Sequence, residues 1–191
     1  MFSKIFPKIH AEGYKFLVIA GVITILFYSF SDFLGLIGLV LTIWVYYFFR
    51  DPERVIINDD NFLVSPADGE VIKVEEVNGP KELNLENKKF KKISIFMNVF
   101  DCHVNRTPCQ GKIEDILYKP GKFFNASLDK ASEENERNFF RIKDNQGNEI
   151  VLVQIAGLIA RRIVCETNKG QELSQGDRVG MIRFGSRADV Y

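Results

Sequence analysis

Histidine is scarce in this chain of 191 residues: only His10 and His103 occur, beside three cysteines and one tryptophan. Imidazole chemistry is therefore confined to two positions. Cys102, Cys109 and Cys165 are an odd number at no repeated spacing, which excludes a disulfide framework and fits a reduced, cytosolic chain. A metal site drawn from Cys102, His103 and Cys109 lacks the paired C-x-x-C geometry, so no metal is expected. A surplus of positive charge is missing as well, since 25 basic side chains face 25 acidic ones. That balance argues against a protein that coats nucleic acid, and no nucleic-acid partner is expected. With 46% of its residues apolar and 13% aromatic, the chain is neither disordered nor collagen-like.

What is present divides near residue 50. From Phe16 to Phe49 the only charged side chain is Asp32. A single helix through this stretch would be roughly 51 Å long against a hydrocarbon core of about 30 Å, and would hold Asp32 at mid-depth. Two helices turning at Ser31-Asp32 avoid both problems. Residues 1–49 are therefore expected to form an N-terminal transmembrane or re-entrant helical hairpin. Lys4, Lys8 and Lys15 before it, and Arg50 and Arg54 after it, place both flanks on the cytoplasmic side of a cell membrane. A signal peptide is the competing reading, but the apolar region is too long and no small-residue cleavage site precedes Arg50. Trp44, Tyr46 and Tyr47 fit an interfacial aromatic belt or plain lipid-facing bulk.

Residues 50–191 change period. LVSPADGEVIKVEEV, KKISIFMNVF, GKIEDILYK, NFFRIKDNQGNEIVLVQIAG, RRIVCET and DRVGMIRFG are short β-branched and aromatic runs separated by turn signals. The expectation is a mainly β fold, a compact antiparallel domain with a short helix, facing the cytosol. Asn145-Gln146-Gly147-Asn148 is the clearest hairpin turn. NASLDKASEENERN, 125–138, is polar and poor in β-branched residues, so the short helix or an ordered loop belongs there, with Asn125 or Ser127 as a cap.

Three side chains are candidates for chemistry, and each also has an ordinary structural reading. His103 ends an apolar strand in FDCHVNRTP beside Asp101, Asn105 and Arg106. Asp68 lies in the SPADGEV turn bracketed by Pro66 and Gly69. Ser186 follows Gly185 in RFGSRADV. His10, in the lead-in to the apolar hairpin, reads as a bystander.

FFRDPER, then SPADG, FDCHVNR, GKFFNASLDKASEENERN and finally FGS stand in one order, and in that order the chain resembles the phosphatidylserine decarboxylase proenzymes in their short, membrane-anchored form. The resemblance spans about residues 45–190. It implies a precursor that cuts its own Gly185–Ser186 bond, leaving a heterodimer of large and small chains whose small chain begins with a covalent pyruvoyl group made from Ser186. Serine is a weak nucleophile unless a base takes its proton and a carboxylate orients that base. His103 and Asp68 match the family positions for those roles. The pyruvoyl ketone would condense with the amine of a phospholipid substrate and draw in the electrons left as carbon dioxide departs, turning phosphatidylserine into phosphatidylethanolamine. Asn125, Asp129 and Lys130 match a family motif, with Asn125 expected near the substrate. Arg50 and Arg54 are placed to pair with lipid phosphate.

Two departures from the family pattern stand out. Arg106 occupies the position where many longer bacterial members carry a second histidine, so His103 would serve both self-cleavage and decarboxylation or share the work with another group. The sequence also stops at Tyr191, while relatives continue for some tens of residues. Two other readings stay open at this point: an inactive, truncated relative serving as a membrane-bound scaffold, and a membrane-anchored serine hydrolase using Ser186, His103 and Asp68, although no G-x-S-x-G elbow is present.

Overall fold

The computed structural model describes residues 6–57, 59–127, 131–158, 162–183 and 186–191, without the side chains of residues 131 and 132. The chain divides into two compact units, Met1–Arg54 and Val55–Tyr191.

The first unit is a helical hairpin of α1 (Gly13–Phe30) and α2 (Asp32–Phe48). The break falls where the sequence placed it. Ser31 is extended, with φ −166° and ψ 138°, and its Oγ accepts a hydrogen bond from Phe33 N at 3.3 Å, capping α2. Asp32 in the first turn of α2 suits the positive end of that helix. Helices this apolar cannot be drawn together in lipid by hydrophobicity, so small residues and polar pairs must do it. Gly35 lies against the Tyr28 ring, and a Cβ at Gly38 would come within 3.0 Å of Thr24 Cα. The Thr24 and Thr42 hydroxyls bond across the interface at 2.9 Å. The open ends are tied by His10 N to Phe49 O at 2.8 Å and Asp51 N to Lys8 O at 2.7 Å. His10 is buried and accepts from Glu12 N through Nδ1 at 3.3 Å, so its role here is structural. By length and composition α1 could cross a membrane; α2 is apolar but shorter.

The second unit is antiparallel β structure: β1 (Glu70–Asn78), β2 (Lys89–Met97), β3 (Val104–Arg106), β4 (Gly111–Lys119), β5 (Arg137–Asp144), β6 (Glu149–Ala156), β7 (Ile163–Cys165), β8 (Glu172–Leu173), β9 (Arg178–Ile182) and β10 (Ser186–Val190), with a four-residue helix α3 (Ala131–Glu134). Seven strands form one sheet in the order β1-β2-β10-β6-β5-β4-β8, and β3-β9-β7 form a second. Alternation along the strands sends side chains to two faces. Met97, Phe140, Ile142, Leu152 and Ala188 pack with Val179, Ile182 and Ile163 of the small sheet. On the opposite face, Phe139, Val151, Val153 and Ile155 are covered by Leu83 and Leu85. The β5–β6 turn forms as expected, because Asp144 Oδ1 accepts from Gln146 N at 2.9 Å and Asn148 N at 2.7 Å, and Gly147 takes φ +88°.

The short helix expected within 125–138 forms at Ala131–Glu134, and Arg137 and Asn138 at the end of that stretch already belong to β5. Asn125 does not cap that helix; its Oδ1 accepts from Ser127 N at 3.1 Å and Ser127 Oγ at 3.0 Å. The polar composition concealed the start of a strand whose Arg137 is buried over the Phe139 ring, 5.3 Å from its centroid.

Phe140 is fully buried between the sheets. Phe140→Ala should lower the unfolding free energy by about 3–5 kcal/mol, read as a shift of the denaturation midpoint in detergent solution.

Candidate active site

Ser186 is fully buried as the first residue of a central strand. In register it lies between Met97, the last residue of β2, and Ala156, the last of β6. Its Oγ donates to Met97 Sδ at 3.9 Å, a weak hydrogen bond that leaves the oxygen lone pairs uncommitted to a strong donor.

The same sulfur is reached from the other sheet. Asn105 Nδ2 donates to Met97 Sδ at 3.6 Å, and Asn105 Oδ1 accepts from Gln154 Nε2 at 2.9 Å. Asn105 and Gln154 are both fully buried. A buried amide is stable only with partners, so this pair fixes the spacing of the two sheets below Ser186. His103, two residues before Asn105, is fully buried too. Its carbonyl accepts from Ile182 N at 3.2 Å, four residues ahead of Ser186. Its Nδ1 lies 3.0 Å from Asp101 O. A carbonyl only accepts, so Nδ1 carries the proton and Nε2 is left as the basic nitrogen.

Asp68 arrives by pairing along the same strand. Val64 N donates to Pro108 O and Arg106 N to Pro66 O, both at 2.9 Å. Two residues on, half-buried Asp68 lies in the bend that approaches β2 just before β1 begins. Gly69 makes the approach possible, since at φ +140° any Cβ would collide with Phe96 O on β2. Ser186 and Asn105 thus meet at Met97, with His103 two residues before Asn105 and Asp68 two residues after Pro66, whose carbonyl Asn105 Nδ2 reaches at 3.5 Å. Gly185, Asp129 and Lys130 lie outside the described residues.

Asn125 is exposed. Arg50 and Arg54 belong to the helical unit, where Arg50 Nη1 donates to Tyr47 O at 2.7 Å and caps α2. Among the described residues no three His, Cys, Asp or Glu side chains converge as metal ligands. Cys109, one of the residues weighed for a metal, has its thiol pushed up to about 11 by burial and by the charge of Asp144, the reverse of what a thiolate ligand needs.

Comparison with known proteins decides among the readings of this site. The phosphatidylserine decarboxylase family profile matches residues 41–191. The phosphatidylserine decarboxylase proenzyme of Pelagibacter ubique (strain HTCC1062) is 75% identical over 191 residues, 100% of this chain and 89% of that protein. This chain belongs to the phosphatidylserine decarboxylase family. The proenzymes of Ruegeria pomeroyi and Rickettsia typhi are 54% and 50% identical, over 95% and 100% of this chain and 83% and 82% of their own lengths. The chain is accordingly a decarboxylase, of the carboxy-lyase class, and nothing in these relatives favours a scaffold or a serine hydrolase.

Sequence motifs named Asp68, His103 and Ser186 as candidates, but not the buried layer of Asn105, Gln154 and Met97. Asn105 stands inside the FDCHVNR motif and gave a signal; Gln154 and Met97 sit in apolar runs and gave none.

Cys165 is exposed while Cys102 and Cys109 are buried. Maleimide at neutral pH should label Cys165 first, and the other two only on unfolding. Because the folded Cys109 value is raised from about 9 to about 11, the unfolded thiol ionises first, so stability should fall as pH climbs through that window; melting curves across it provide the check.

Proposed function

We propose that the chain is a self-processing phosphatidylserine decarboxylase in which Ser186 becomes a pyruvoyl group and His103 and Asp68 assist. The observation that carries this reading is the full burial of Ser186 and His103, on strand ends that Asn105 and Met97 tie together.

His103 Nε2 takes the Ser186 hydroxyl proton, and Oγ attacks the Gly185 carbonyl. The C–N bond breaks as the C–O ester bond forms, and the proton returns to the freed amine. Loss of the Cα proton then expels the carboxylate ending at Gly185 and leaves dehydroalanine at 186. Water adds and ammonia leaves, giving the α-keto group. Asp68 places a negative charge near His103 and favours the imidazolium that forms. Water exclusion in this layer strengthens each of these interactions.

Residues 186–191 fit the group they would carry. Their strand is hydrogen-bonded on both sides, so a reactive terminus there is held without a covalent link upstream. The pyruvoyl carbonyl, once present, supplies the electron sink for decarboxylation. His103 then holds the proton that returns to the substrate carbon, and one imidazole serves both stages where Arg106 replaces a second histidine.

The lipid is taken from the bilayer side. The loops at the Ser186 end expose Phe100, 70% accessible, and Leu158, 64%, side chains suited to a membrane interface. The hairpin anchors the chain in the cell membrane with its basic flanks and catalytic unit on the cytoplasmic side. Arg50 and Arg54 face lipid phosphate there. Asn125, its oxygen held by Ser127, offers its amide NH₂ to the headgroup.

Purified protein should run as two fragments, the smaller blocked at its amino end, and borohydride should stop turnover. Ser186→Ala should stay whole and release no carbon dioxide, and His103→Ala should slow cleavage by about 10²–10⁴-fold. Decarboxylation by an uncut chain that retains serine at 186 overturns the reading.

A further inference from the structure

One residue past the scissile bond lies a buried charge cluster that the chemistry above does not use. Arg187 is 1% exposed and Asp189 likewise 1%. Arg187 Nε donates to Asp189 Oδ1 at 2.6 Å, and Nη2 donates to Asp189 Oδ2 at 3.1 Å and to Ser94 Oγ at 2.7 Å. Both residues point away from Ser186, toward the face of Phe139, Val153 and Ile155, because alternate residues of a strand share a face. Ser94 stands on β2 directly opposite Asp189 in register. The guanidinium therefore runs along β10 and across to β2, and locks the two strands together beside the reactive end.

Such a device is expensive. Two desolvated charges in a sheet are commonly no better for stability than apolar side chains of similar size, whereas a severed pair is strongly destabilising. What an ion pair adds is geometry: the bidentate fork accepts a single register and resists fraying. Fraying matters less in the uncut chain, where the peptide bond into residue 186 holds the start of β10. It matters greatly once residue 186 is a chain end, because ladder hydrogen bonds next to a terminus open most readily.

We infer that Arg187, through Asp189 and Ser94, is a positioning residue that holds the new amino-terminal end of the small chain in register after scission, so that the reactive group stays beside His103 and the small chain stays bound. This rests on cleavage at residue 186. Arg187 touches neither substrate nor reacting atoms; it acts through β10.

The test uses the full chain in detergent. Arg187→Met and Ser94→Ala are made both in the cleavable protein and in the Ser186→Ala background. In the uncut background, Ser94→Ala should melt cooperatively within a few degrees of its parent, and Arg187→Met should remain folded at a lower midpoint. In the cleavable background the band should still split, but the small chain of Arg187→Met should separate on size exclusion, with kcat reduced at least about tenfold and KM little changed. Ser94→Ala should show the same separation to a smaller extent, and it keeps the experiment decisive if Arg187→Met does not fold. Full retention of the small chain with normal kcat in a cleaved variant overturns the inference. A wild-type chain that never splits overturns the scission reading instead, and with it the need for an anchor.

Discussion

The placement of β10 governs this molecule. It is a five-residue strand paired with β2 on one side and β6 on the other, buried along its whole length. Those two ladders fix Ser186 beside the ends of both neighbours, and the small sheet brings His103 to the same end through the Ile182–His103 hydrogen bond. If β10 slipped by one residue, the period of two would turn Ser186 outward and force Arg187 into the apolar layer with Ala156 and Leu152. The ion pair with Asp189 penalises that slip, since an unpaired buried charge costs several kcal/mol. The position of residue 186, and with it the self-cleavage proposed there, is thereby coupled to the register of the sheet.

The second constraint is dryness with polar order. Asn105, Gln154 and Met97 form a buried layer in which Asn105 bonds both the Gln154 amide and the Met97 sulfur, which also accepts from Ser186 Oγ. The weak sulfur acceptor for Ser186 Oγ is consistent with a hydroxyl kept still but not strongly solvated. Gly69 serves the same end by letting the Asp68 turn lie flush on β2.

Much of this was legible in the residues. The break at Ser31-Asp32 could be read because one carboxylate interrupts an otherwise apolar stretch too long for a single span, and the β5–β6 turn because Asp144 and Gly147 supply the conformations it needs. The strands with β-branched or aromatic alternation, β2, β4, β5, β6 and β9, were visible for the same reason. β10 was not: SRADV carries two charges in five residues, and Arg187 and Asp189 bond each other at short range within the core strand. The short helix within 125–138 was legible from its polar composition, but the start of β5 was not, because Arg137 and Asn138 are polar yet buried, a choice made by Phe139 and by the β5–β6 pairing rather than by propensity. Asp68, His103 and Ser186 are far apart in sequence, and the segments that carry them are ordered by non-local register, which no local pattern encodes.

The bend at Ser31 has a consequence for biogenesis. Its two arms are joined at their base by the Ile9–Arg50 bridge and the Tyr46–Pro7 hydrogen bond, so both polypeptide ends leave the hairpin together. Inserting such a wedge into a lipid leaflet moves a single carboxylate, Asp32, inward, and requires no hydrophilic domain to be threaded through the hydrocarbon. Under the cytoplasmic topology proposed above, the β unit matures in water on the side where it was synthesised, before or after the wedge has sunk in.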